Sequence, residues 1–231
     1  MASKKPGFFI TFEGGEGCGK STQVKRLIRW LKEKQVPYLF TLEPGGTQIG
    51  EEIRHLLLDP SNKHLSDRAE LLLYEADRAQ HVEELVQPAL NEGKVVVCDR
   101  FFDSSTVYQG ICRKLGESWV SQVNRFATGG LSPDLTFLLD LPVSVGRERV
   151  KKRIQDDVGL TGVGRRVKLD RIEREDASFH RAVRNGFLKL AKKSPSRFKV
   201  INAAADIDAI EAEIQKILKP RLQRRNFWKS E

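Results

Sequence analysis

GGEGCGKSTQ, residues 14–23, follows the apolar run FFITF and precedes Val24, Leu27, Ile28 and Leu31 at helical spacing. Gly14, Gly15, Gly17 and Gly19 crowd into this short stretch. Glycine loses the most backbone freedom on ordering, so it is a poor lead into a helix unless the chain must curl tightly. Gly14 to Ser21 fits G-x-x-x-x-G-K-[ST], with a strand before and a helix after. In that context the loop turns successive N–H groups into one concavity, and the helix start adds unpaired donors and positive dipole. The stretch reads as a phosphate cradle made by Gly14, Gly15, Glu16, Gly17, Cys18, Gly19, Lys20, Ser21 and Thr22. Lys20 reaches the β- and γ-phosphates, and the Ser21 hydroxyl faces Mg²⁺. The alternative is an ordinary glycine-rich turn from strand to helix.

Outward from the loop, strands alternate with helices. FFITFE (8–13), PYLFTL (37–42), KVVVCD (94–99), DLTFLLD (134–140) and FKVIN (198–202) read as strands. Helices are expected from 20 to 34, up to Leu58, from Asp67 to Leu90, over 104–114 and 117–127, from Val143 to Ile154, and from Glu173 onward. Ile207, Ile210, Ile214 and Ile217 mark a final helix stopped by Pro220. Several strands are apolar on both faces, which indicates a parallel sheet covered on each side. The expectation is an α/β, P-loop NTPase-like three-layer fold with a five-stranded parallel sheet flanked by helices. No composition break divides the 231 residues, so one domain is expected. QDDVGLTGVGRRVKL (155–169) has three glycines and no helical stripe, and is read as a mobile lid loop within about 154–172.

Apolar residues make up 39% and charged residues 31%, so neither disorder nor a membrane class is indicated. No apolar run approaches the ~18–20 residues of a spanning helix. Glu13 interrupts the first apolar run, so MASKKPG does not introduce a signal peptide, and the cytoplasm is expected. Cys18, Cys98 and Cys112 match no disulfide or metal spacing. Net charge is +9, carried largely in short blocks: KKR at 151–153, GRR at 164–166, KK at 192–193 and RLQRR at 221–225, the last within a basic tail, 220–231. The nearby aromatics form no nucleic-acid pattern, and anionic small substrates explain the excess as well. No nucleic-acid or membrane partner is expected.

Asp99, at the end of KVVVCD, stands where an acidic residue near the metal belongs. Asp140, after LTFLL, is expected to cap the next helix. The pair Asn62-Lys63 continues with His64-Leu65 and fails the GTPase base-reading pattern. A small kinase is the better fit.

Four further stretches narrow the reading: LEPGGTQIGEEIR (42–54), AELLLYEADRAQH (69–81), DRFFDSSTVYQG (99–110) and LDRIE (169–173). In this order and spacing, over about residues 8–218, the chain closely resembles the bacterial thymidylate kinases. The resemblance implies a nucleoside monophosphate kinase fold, MgATP as donor, dTMP as acceptor and a homodimer. It places Arg78 and Arg100 around the dTMP phosphate, which suits the planar, two-oxygen fork of arginine. The alternative for each is a surface ion pair with Asp77 or Asp99. Tyr74, one turn before Arg78, matches the aromatic that stacks on thymine. Ser105 and Gln109 match contacts to the base edge, and Tyr108 a residue that crowds the sugar 2′ position. Glu16 matches the carboxylate that meets the acceptor sugar or the metal, and Glu43 is a further pocket residue. Leu42 stands where the family usually has arginine, so a contact in the acceptor pocket is either missing or supplied by Arg54 instead. By alignment to GRERVKKR, Arg149 and Arg153 are the lid arginines that balance charge on the moving phosphoryl group, beside Lys20 and Arg100. Arg165 and Arg166 are the other lid cations.

The expected reaction is in-line transfer of the ATP γ-phosphoryl group to dTMP, giving dTDP and ADP. Ser21, Asp99 and Glu16 organise Mg²⁺, and lid closure excludes water. Two alternatives stay open on the sequence: a monophosphate kinase with another base preference, and a nucleotide-dependent nucleic-acid-binding protein using the basic tail.

Overall fold

The computed structural model describes residues 6–160 and 169–227, side chains at 157–160 excepted. Five strands form one sheet: β1 (Phe8–Glu13), β2 (Tyr38–Leu42), β3 (Val95–Asp99), β4 (Leu135–Asp140) and β5 (Phe198–Asn202). The order is β2-β3-β1-β4-β5 and every pair is parallel. The glycine loop therefore leaves the central strand. Successive crossovers lead first to the β2–β3 side of β1 and then to the β4–β5 side, which opens a crevice at the carboxyl end of β1.

Alternate residues of each strand feed opposite layers. Phe8, Ile10 and Phe12 pack with Val95, Val97 and Phe137 against α1 (Lys20–Glu33) and the carboxyl-terminal helix. Phe9, Val96 and Cys98 face Val82, Val86 and Phe101 on the other side, while Leu138 meets Val107, Val183 and Phe187. The layer that carries Phe9 also carries Thr11 and Glu13, both buried. There the Thr11 and Thr136 hydroxyls bond each other at 2.8 Å.

The remaining helices are α2 (Gln48–Leu58), α3 (Asp67–His81), α4 (Gln87–Asn91), α5 (Phe102–Ser105), α6 (Glu117–Ala127), α7 (Val143–Leu160), α8 (Ala177–Lys193) and α9 (Ile207–Arg224). α3 runs into α4 through a π-helical turn, Val82–Val86, and α5 continues as a second one, Thr106–Cys112.

Three boundaries differ from the expectations. α7 continues to Leu160, past Ile154, so the polar stretch begins as helix; its centre, 161–168, with Arg165 and Arg166, lies outside the described residues. α8 starts at Ala177, not Glu173, because the Asp176 side chain accepts from the Phe179 N–H and caps it there. Pro220 does not stop α9. Proline removes one backbone donor, but the helix beyond it buries Leu222 completely, and Arg225 donates to the Gly7 carbonyl and to Asp134. Asp140, expected as a cap, instead accepts from Arg184 through both oxygens, at 2.6 and 2.8 Å.

If burial of Leu222 holds the last turn, Leu222→Ala should lower the unfolding free energy by about 2–5 kcal/mol. Urea denaturation measures this; a change within about 0.5 kcal/mol would show that the turn beyond Pro220 adds nothing.

Candidate active site

The glycine loop is built around an open helix end. α2, α3, α8 and α9 begin on Thr47, Ser66, Asp176 and Asp206, whose side chains accept backbone N–H groups. α1 begins on Gly19, left-handed at φ 92°, with no side-chain cap. Its first N–H groups therefore need an acceptor from elsewhere, and an anion provides one. The loop is also pressed against α7. A Cβ on Gly17 would lie 2.3 Å from the Gly146 carbonyl oxygen, and one on Gly146 would lie 2.4 Å from the Glu16 carbonyl oxygen. Gly146 escaped the sequence reading; its signal was a glycine inside a helix, where it is unfavourable unless backbones must meet. Lys20 Nζ donates to the Gly14 and Gly15 carbonyls, both at 3.1 Å, and lies 3.6 Å from Cys18 Sγ.

Asp99 reaches the loop because β3 pairs with β1, Phe12 opposite Asp99. Ser21 Oγ donates to Asp99 Oδ2 at 3.0 Å, while the buried Asp99 Oδ1 has no hydrogen-bond partner. A hydroxyl beside a carboxylate with an unused oxygen is a donor set that suits Mg²⁺ or a metal-bound water.

These groups border a cavity of about 680 Å³. Glu16, Gly17, Cys18, Gly19, Lys20, Ser21 and Thr22 form the loop wall, and Asp99 and Arg100 stand beside it. Gly14 and Gly15 sit behind, in a small cleft against α7 and α8. Leu42, Glu43 and Arg54 supply a second wall, Tyr74 and Arg78 of α3 a third, and Ser105, Tyr108 and Gln109 a fourth. Arg149, Arg153, Asp170 and Glu173 line a further side. The cavity thus gathers every expected site residue except those two glycines.

Arg100 links two walls. Its Nη2 donates to Glu16 at 2.5 Å, and its Nη1 donates to the Gly14 carbonyl and to Ser104 Oγ, both at 3.2 Å. Tyr108 adds a weaker bond to Glu16 at 3.4 Å and lies under the Arg100 guanidinium. Burial would raise the Glu16 carboxyl, but Arg100, Lys20 and His180 hold it below the usual carboxylate range. Glu13, another residue missed on the sequence, is pushed up to about 7 by burial and then by Asp103, against the pull of Arg100.

Arg78 is 1% exposed. Its Nε donates to Glu43 at 2.9 Å, and its Nη1 donates to Glu75 and Asn124 at 2.5 and 2.9 Å. Its partners are these carboxylates, not Asp77; Arg100 likewise pairs with Glu16, not Asp99. Glu43 is further tied to His81 at 2.8 Å, and His81 to Thr41 at 2.6 Å. Gln109 donates to buried Glu70, which also pairs with Arg171. Burial pushes the Tyr74 phenol up, so it stays neutral. Arg54 donates to the Pro44 carbonyl at 2.5 Å and is the cation on the wall where Leu42 offers none. Arg149 donates to the Ala203 carbonyl at 3.2 Å, and Arg153 pairs with Glu173 at 2.7 Å.

The chain has counterparts among known proteins. A family model for thymidylate kinase matches residues 12–214. The chain is 47% identical over 217 residues to a thymidylate kinase of Lactobacillus acidophilus, covering 94% of this chain and 95% of the relative. It is 46% identical over 219 residues to one of Geobacter sulfurreducens, covering 95% of this chain and 100% of that one. The crystal structure of thymidylate kinase from Ehrlichia chaffeensis superposes with a TM-score of 0.72 at 33% identity, over 93% of this chain and 99% of that one.

One buried acid beside the pocket gives a measurable signature. Asp77 Oδ1 accepts the Gly45 N–H at 2.9 Å, and burial, then Glu43, push its carboxyl up to about 7. A carboxyl raised on folding adds stability below its unfolded value, and that contribution is lost as pH rises through about 7. Asp77→Asn keeps an acceptor for Gly45 and removes the titration. Between about pH 5 and pH 8 the urea midpoint of the parent should fall more than that of Asp77→Asn; parallel curves would contradict the assignment.

Proposed function

The chain belongs to the thymidylate kinase family, and on that premise we propose that its cavity holds MgATP against the glycine loop and dTMP against α3 and the segment after β3. It transfers the γ-phosphoryl group of ATP to dTMP, giving dTDP and ADP. The observation that carries this is one cavity joining an uncapped helix start to a recess lined by an aromatic ring, amides and arginines.

At the donor end, the N–H groups of the loop and α1 take the phosphates, and Lys20 leaves the Gly14 and Gly15 carbonyls to follow them. Ser21 and Asp99, with Glu16 nearby, are the residues that would hold Mg²⁺. Bound with ATP, the ion would neutralise charge on the β- and γ-phosphates. At the acceptor end, Tyr74 offers its face to thymine, and Ser105 and Gln109 offer polar groups to the base edge. Tyr108 and Glu16 bound the sugar. Arg78 is already balanced by Glu43 and Glu75, so it suits a neutral base edge better than a dianionic phosphate. That assigns the acceptor phosphate to Arg100 and Arg54, which line the cavity with fewer carboxylates around them. An acceptor phosphate oxygen attacks the γ-phosphorus as the bond to the β-bridging oxygen breaks, and ADP leaves. Lys20, Arg149 and Arg153 balance the charge, Arg153 by releasing Glu173. The whole chain works as one nucleoside monophosphate kinase unit, with the lid at about 154–172, the basic tail at 220–231 as part of it, and the cytoplasm as its compartment. Among the described residues no helix is long and apolar enough to cross a membrane.

A second copy of the chain is the proposed partner. α2 packs on α3 and α3 on α6, and these three helices expose Ile49, Leu56, Leu72, Trp119 and Phe126, the last at 88%.

Coupled ADP release with dTMP, dUMP, UMP, AMP and GMP tests the reaction. Purine monophosphates should turn over at less than about a hundredth of the dTMP rate. Lys20→Ala should lower kcat on the order of 10²–10³-fold. A preference for AMP or GMP would overturn the pocket assignment. In sedimentation velocity the parent should run as a dimer and Phe126→Glu as a monomer of unchanged fold; a monomeric parent would remove the proposed interface.

A further inference from the structure

Glu13 is the last residue of β1, fully buried and outside the cavity wall. Its two oxygens are committed to the segment that follows β3. Oε1 accepts the Phe101 N–H at 2.9 Å, and Oε2 accepts the Ser104 hydroxyl at 2.7 Å. Ser104 Oγ in turn accepts from Arg100 Nη1 at 3.2 Å. One carboxylate therefore grips both ends of the turn from Arg100 to Ser104. That turn is strained at Arg100, whose φ of 72° lies in the left-handed region. A non-glycine residue is disfavoured there and needs its surroundings to hold it. Charged groups of both signs lie around Glu13. Asp103 lies close, and its own charge is met by Arg197 through two bonds, at 2.5 and 2.8 Å.

We propose that Glu13 is a positioning residue for the acceptor phosphate: it touches neither nucleotide and acts by holding the strained Arg100 backbone and, through Ser104, the Arg100 guanidinium. This rests on the reading above that Arg100 clamps the dTMP phosphate. The hold is complete only in the ionised form of Glu13, whose two oxygens both accept, and that form prevails above about pH 7. Both partners of Glu13 are donors, and Ser104 Oγ already accepts from Arg100. A glutamine there offers one acceptor and one donor. Its NH₂ would face either the Phe101 N–H or a hydroxyl that must then reorient, and the hold on Arg100 is lost on one side.

The test is a double-mutant cycle on the full chain, with Glu13→Gln, Arg100→Lys and both together. ADP release is measured with dTMP varied at saturating MgATP and with MgATP varied at saturating dTMP. Glu13→Gln should lower kcat/KM for dTMP by about 10- to 100-fold and leave KM for ATP within about twofold, since a misplaced clamp costs about that much. The double variant should fall no more than about threefold below Arg100→Lys, because the two act as one unit. Losses that multiply, or an equal rise in KM for ATP, would mean general loosening and overturn the proposal. If Arg100→Lys itself leaves dTMP kinetics unchanged, the reading of Arg100 fails first, and that result is distinct from a working Arg100 to which Glu13 is uncoupled. Should Glu13→Gln not fold, Ser104→Ala removes the side-chain half of the hold; unaltered kcat/KM for dTMP in that variant would equally overturn the proposal.

Discussion

The structure turns on a helix start left without an acceptor, placed at the carboxyl end of the central strand. The first N–H groups of α1 follow Gly19 with no side chain to cap them. Unsatisfied donors are costly when shielded from water, and the dipole adds positive potential at the same point. The fold tolerates this only where an anion can be received. The close contact of Gly17 and Gly146 then fixes the loop against α7, so the concavity is preformed rather than assembled on binding.

Around that point the chain stores an unusual amount of buried charge. Glu13, Glu43, Glu70, Glu75, Asp77, Asp103 and Arg78 are all nearly inaccessible. Buried ion pairs contribute little net stability, because desolvation offsets attraction. What they provide here is fixed geometry. Thr41, His81, Glu43, Arg78 and Glu75 form one connected chain of hydrogen bonds on the α3 side of the cavity. Glu13, Ser104, Arg100 and Glu16 form another beside the loop. A side chain held by several charged partners has few other rotamers, and a phosphoryl-transfer site depends on alignment more than on covalent chemistry.

The meeting of Lys20, Ser21 and Asp99 at the glycine loop was legible because a tight curl from strand into helix needs glycine at fixed spacing, and local backbone geometry enforces it. The strands were legible for the same local reason, through their double-sided apolarity. Legibility failed where a distant contact outweighed a local signal. Pro220 looked like a stop, but burial of Leu222 carries α9 past it. Asp140 looked like a cap, but Arg184, far along the chain, takes both its oxygens. Glu13 looked like an interruption of an apolar strand, whereas it is the anchor of the turn after β3.

By itself, then, the order of residues determined a glycine-rich turn from strand into helix and an alternating α/β chain, since each depends on neighbours within a few positions. Only the tertiary structure decided how many carboxylates each arginine meets. Arg78 and Arg100 are alike in sequence, each following an aspartate. Folding seats Arg78 between two carboxylates and leaves Arg100 between the glycine loop and Ser104, with Glu16 as its carboxylate partner. The difference lies in which distant charges the parallel sheet brings within a few ångströms, and electrostatic energy depends on that separation rather than on position along the chain.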